Sequence, residues 1–119
     1  MAEMVLRLKG LPPQPLDAAA FFHANCVEDI RQDFRDMGDS RCHLAIVFES
    51  AGHEHRGWRL AAVQELAREV APHRINALAS DSEPAVASAL AYLKIAEGVT
   101  GQLLELDDMG AGEVVSYSA

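Results

Sequence analysis

The chain has little of what usually announces a specialised function. Its 119 residues include two cysteines, Cys26 and Cys42, whose separation suits neither a thiolate metal site nor a redox pair. They read as reduced, buried thiols of a cytoplasmic protein. No apolar run approaches the ~20 residues a membrane helix needs. The opening MAEMVLRLKG lacks the basic region, apolar run and small-residue cleavage site of a secretory signal. Cationic side chains are scarce, 10 Lys and Arg against 18 Asp and Glu, for a formal charge of −8. That balance, without a basic stripe, argues against a surface for phosphate backbones. Neither nucleic acid nor membrane is expected as a partner. No G-x-S-x-G elbow marks a nucleophile, and no glycine-rich turn is placed to cradle a pyrophosphate. Internal repeats and low-complexity stretches are also missing.

What is present is an ordinary globular composition, 50% apolar and 24% charged, in a length that suits one domain over residues 1–119. Apolar patterning then organises the chain. MVLRLK, Met4 to Lys9, is strand-like, and GLPPQP breaks it. Asp17 is placed to cap a helix from Ala18 to Met37, bent near Asn25 and Cys26 and ended by Gly38. HLAIVFES, His43 to Ser50, is apolar enough for a strand buried on both faces. A helix from Gly57 to Ala71 shows Leu60, Val63, Leu66 and Val70 on one side, and Pro72 stops it. RINALA, Arg74 to Ala79, is the next strand. Ser82 caps a helix from Ala85 to Ala96, and a last strand is centred on Gln102 to Leu106. The tail GEVVSYSA could add a short strand. Strands alternating with helices predict a parallel sheet linked by right-handed crossovers.

Four stretches carry a family likeness. LAREVAP (Leu66 to Pro72), RINALASD (Arg74 to Asp81), ASALAYL (Ala87 to Leu93) and TGQLLELDD (Thr100 to Asp108) follow one another in order. They resemble the short-chain dehydrogenase/reductase family, whose closing half reads like "LAREVAP", "IRVNAVAPG", "ASAVAYL" and "TGQxLxVDGG". MGDSRCHLAIVFESAG is similar to the family's central strand, and MVLRLKG to a worn "DVLVNNAG". The resemblance implies an α/β, three-layer, Rossmann-like half domain of about four mainly parallel strands flanked by helices, truncated and degenerate.

The departures bear on function. The family's nucleotide turn has no counterpart here. Its Tyr-x-x-x-Lys pair, counted back from LAAVQEL, falls at Arg56 and Leu60. The reaction needs a phenol to deliver a proton and a cation beside it, and these residues supply neither phenol nor neighbouring charge. The serine place falls near Glu49 or Ser50. Pro-Gly after the third strand is Ser80-Asp81, and the closing Gly-Gly is Asp108-Met109.

The remaining candidates lie on loops beyond the strand C-terminal ends, where open parallel sheets bind ligands. Ser50, His53, His55, Trp58 and Ser80 form a candidate ligand loop. His53, Glu54 and His55 could serve a divalent metal, though His-x-His on a loop has no fixed geometry and the bland alternative is a solvated loop. Trp58 equally suits packing beneath that loop or at a subunit contact. Ser50, His53 and Asp81 as a nucleophilic triad, and Glu105 with Asp107 and Asp108 as a cation site, are weaker. No cofactor is expected.

The expected function is therefore that of a non-catalytic, dehydrogenase-like oligomerisation or interaction domain. The alternatives are a small-molecule or metal binder using the strand-end loops, and residual NAD(P)-linked oxidoreduction. By the resemblance, a homodimer or higher homo-oligomer should form through the Ala18–Met37 and Gly57–Ala71 helices. A full-length reductase is the other candidate partner.

Overall fold

Alternation along the first strand decides how the sheet faces. A computed structural model describes residues 2–106. In β1, Ala2–Leu8, the side chains of Met4, Leu6 and Leu8 pack on the core. Glu3, Val5 and Arg7 therefore point to the other face, because strand side chains alternate. β2, Cys42–Phe48, is buried at every residue, as a strand covered on both faces must be. β3, Arg74–Ala79, begins and ends where RINALA does. β4 is shorter than expected, Leu103–Glu105.

The strands lie in the order β1-β2-β3-β4, all parallel. Helices α1 (Pro15–Asn25), α2 (Val27–Asp36) and α3 (Arg56–Val70) cover one face. There Phe22, Ile30, Phe34, Val63 and Leu66 meet Leu44, Ile46, Phe48 and Ile75. Helix α4 (Glu83–Ile95) covers the other, where Val86, Ala89 and Leu93 meet Val47, Leu78 and Leu104. This is the small three-layer α/β half domain that the sequence predicts.

Three local expectations need correction. The helix expected over Ala18 to Met37 is two helices, parted at Cys26, which is buried against the core. The Asn25 amide donates to the Phe21 carbonyl (3.0 Å) and helps close the first of them. Asp17 is not the cap. Helix α1 starts earlier, at Pro15, whose missing N–H costs nothing in a first turn. Ser82 is a cap as expected, its Oγ accepting the Ala85 N–H at 3.3 Å.

The crossovers are not all of one hand. Each step moves the same way across the sheet, yet α4 lies on the face opposite α1 to α3. Reversing the face without reversing the direction reverses the hand. If the first two follow the right-handed rule, β3-α4-β4 is left-handed. Sequence periodicity carries no information on which face a helix takes. Asp107, Asp108 and the tail GEVVSYSA lie outside the described residues.

Candidate functional site

β2 and β3 end side by side, and two loops leave them. Phe48 and Ala79 are paired in the ladder, and the Ser80 N–H donates to the Phe48 carbonyl at 3.1 Å. Beyond that point the Ser50 N–H donates to Asp81 Oδ1 (2.9 Å), tying the loops together. Glu49 reaches sideways and accepts the Gly10 N–H (2.8 Å), which anchors the β1–α1 loop. The Ser80 hydroxyl accepts the Ser82 N–H (2.9 Å), a turn bond that leads into the cap of α4. These contacts frame the strand-end crevice with backbone and carboxylate groups.

Its floor is cationic. Arg59 is buried at 6% exposure, and its guanidinium lies 4.4 Å from the centre of the Phe48 ring. Nη1 donates to the Glu49 carbonyl (3.0 Å), while Nε has no partner among the described residues. Burial pulls the Arg59 pKa down, and the nearby carboxylates of Glu105, Glu49 and Asp81 oppose that pull. Arginine remains charged regardless. One turn earlier, Arg56 Nε meets Glu105 Oε1 at 2.8 Å. Ser50 to Gly52, His55, Arg56, Arg59 and Glu105 enclose a cavity of about 120 Å³.

The sequence candidates divide. Ser50 and His55 border this cavity, and Ser80 borders a neighbouring hollow with Glu49 and Asp81. His53 and Glu54 are exposed. Trp58 packs 5.6 Å, ring to ring, from both Phe22 and Phe48. It is a core residue under the loop, not a wall of the cavity. Trp58 Nε1–H donates to His55 Nδ1 (3.1 Å), so His55 Nε2 carries the proton and donates to the Pro13 carbonyl (3.0 Å). Both His55 nitrogens are thus engaged, which removes it from a metal site with His53 and Glu54. No group of three or more His, Cys, Asp or Glu among the described residues is arranged to hold a metal.

Leu60, where counting placed the family's lysine, packs against the apolar core between α3 and the sheet. The α3 side chains that line the crevice are Arg56 and Arg59. Residues three apart on a helix of 3.6 residues per turn lie on nearly the same side, which brings Arg56 and Arg59, and not Leu60, to the crevice. A signal for Arg59 was available. It shares the helical spacing of Ala62, Val63 and Leu66, and a charge on the apolar stripe of a helix is either paired or functional.

Among known proteins, a family model described as short chain dehydrogenase-like protein matches residues 6–106. The chain belongs to the short chain dehydrogenase-like family. No curated protein and no solved structure gives a match. In this short chain dehydrogenase-like protein the matched stretch runs from the second half of β1 past the end of β4 and includes the crevice. No helix among the described residues is long and apolar enough to cross a membrane.

Proposed function

We propose that this short chain dehydrogenase-like chain is non-catalytic and acts by association, with a second copy of itself or with a full-length reductase. The observation that carries the reading is how the charged groups of the crevice are used. Arg56 is bound to Glu105, Arg59 to a backbone carbonyl and an aromatic face, and His55 to Trp58 and Pro13. These side chains hold two loops onto the sheet and, among the described residues, leave no phenol–cation pair to deliver a proton. The one tyrosine among the described residues, Tyr92, lies on α4, which packs on the opposite face.

The test for lost chemistry is a titration with NADH and NADPH, read by nucleotide fluorescence. No saturable change is expected up to millimolar cofactor. A saturable signal, or turnover with a carbonyl substrate, would defeat the reading.

A second reading is supported by the cavity of about 120 Å³ beside Arg59. A guanidinium with an unpartnered Nε suits a small carboxylate or similar anion. A ligand at a hundredfold excess over its dissociation constant would stabilise the fold by about 2.7 kcal/mol. Thermal melts with small carboxylates, phosphate and divalent metals separate the two readings; unmoved midpoints remove the second.

A further inference from the structure

β1 forms one edge of the sheet. It is hydrogen-bonded to β2 on one side and to no other strand among the described residues. Its seven residues, AEMVLRL, contain no proline and no glycine. Val5 is 47% exposed on the face that α4 occupies farther along the sheet. A long, regular edge of this kind is a template for another strand, and proteins that avoid pairing usually blunt it with proline, a bulge or an inward charge.

The segment is complementary to itself. Laid antiparallel on its own copy and centred on Val5, Glu3 faces Arg7 of the second copy, and Arg7 faces its Glu3. Met4 faces Leu6 of the second copy, on the side where both residues already pack on the helical core. Val5 meets itself at the twofold axis. A slip of two residues either way opposes Glu3 or Arg7 to Val5 and loses both ion pairs within the strand. Opposite charges placed directly across an antiparallel pair are favourable, and like charges are not. The existing contacts permit the exchange. Glu3 uses Oε1 for His43 (2.9 Å), which leaves Oε2, and Arg7 meets Glu83 in an exposed pair that yields at little cost.

The rival surface is less suited to self-association. The outer sides of α2 and α3 are ionic and internally paired. Arg31 is bidentate to Glu69 (2.6 and 2.9 Å), Arg35 is bound to Glu28, and Arg68 to Glu65. Interface cores are depleted of such charges. We infer that β1 pairs antiparallel with β1 of a second copy of this chain, in the register centred on Val5, joining two sheets into one. The inference rests on the associative reading above and gives it a location.

The test combines mass with a position-specific cross-link, on the full chain. Light scattering should give the mass of two chains. Val5→Cys places two thiols at the twofold, where opposed strand residues lie within disulfide reach. Under mild oxidant it should give a covalent dimer on a non-reducing gel. Cys26 and Cys42 are buried, so the background is low, and Leu16→Cys, 86% exposed on α1, is the control that should stay monomeric on the gel. Val5→Lys, which opposes two ammonium groups, should give the mass of one chain with an unchanged circular dichroism spectrum. Arg7→Glu should weaken the dimer several-fold. A two-chain mass with no Val5→Cys cross-link and no effect of Val5→Lys would overturn edge pairing and leave the associative reading standing. A one-chain mass for the unmodified protein would overturn self-association and edge pairing together.

Discussion

At the N-terminal ends of the strands, Asn76 donates to His43 Nε2 (3.0 Å) and to the Val99 carbonyl (2.9 Å), and accepts the Gln102 N–H (3.0 Å). His43 in turn donates from Nδ1 to Glu3 (2.9 Å). A buried polar chain so crosses from β1 to the threshold of β4. At the C-terminal ends, Arg59 is also buried but makes one hydrogen bond to a carbonyl and leaves Nε without a partner among the described residues. The Glu3–His43–Asn76 chain is a satisfied network, which specifies how these strands register. The C-terminal end carries an under-satisfied charge, which adds little to stability and is where a binding role or an inherited constraint would show.

The sharpest way to break this contrast is Asn76→Leu. It strands His43 Nε2, the Val99 carbonyl and the Gln102 N–H, each costing roughly 1–3 kcal/mol when buried and unpaired. A loss on the order of 3 kcal/mol or more is expected in urea unfolding; a loss below ~1 kcal/mol would show that the network is not structural. Next comes Gly101→Ala at the same end. Gly101 has φ +74°, and an added Cβ would lie 3.3 Å from Ala67. A left-handed non-glycine residue costs roughly 1–2 kcal/mol, and equilibrium unfolding should show at least that.

The third prediction concerns pH. Burial holds the His43 pKa below its usual 6.5, although the Glu3 hydrogen bond and charge oppose the shift. Burial thus favours the neutral ring in the folded form. Below pH 6.5 the unfolded chain takes up the proton first, so the His43 contribution is present above that value and is lost as pH falls through the depressed folded pKa. His43→Gln, neutral throughout, should flatten this limb of the stability profile; an unchanged slope would remove His43 from it. The smallest effect is expected at the other end. Arg59→Met removes a buried charge that no carboxylate binds directly and keeps an apolar stem on Phe48. Stability should change by less than ~1 kcal/mol, in either direction. A loss of several kcal/mol would erase the distinction between the two ends.

Much of the fold was legible because it is local. RINALA gave its strand to the residue, and Ser82 its cap, since alternation, β-branching and a hydroxyl before Glu-Pro act within a few positions. Family motifs in order gave the architecture. The break at Cys26 was visible as a bend but not as two helices, because Val27, Ile30 and Phe34 continue the apolar spacing across it. The face taken by α4 was not legible, nor was the chain Glu3–His43–Asn76. Both depend on register between strands far apart in sequence, and a histidine inside HLAIVF looks like any other strand residue until its neighbours are known. At the site, Ser50, His55 and Ser80 border the crevice or the hollow beside it, whereas Arg59, a charge on the apolar stripe of α3, was passed over.

Under the function proposed above, this chain uses its sheet for association and not for hydride transfer. The most direct measurement is the solution mass of the unmodified chain by light scattering across the micromolar range. Two chains per particle, dissociating on dilution, is the predicted result. A single-chain mass at every concentration, together with saturable NADH or NADPH binding, would contradict it.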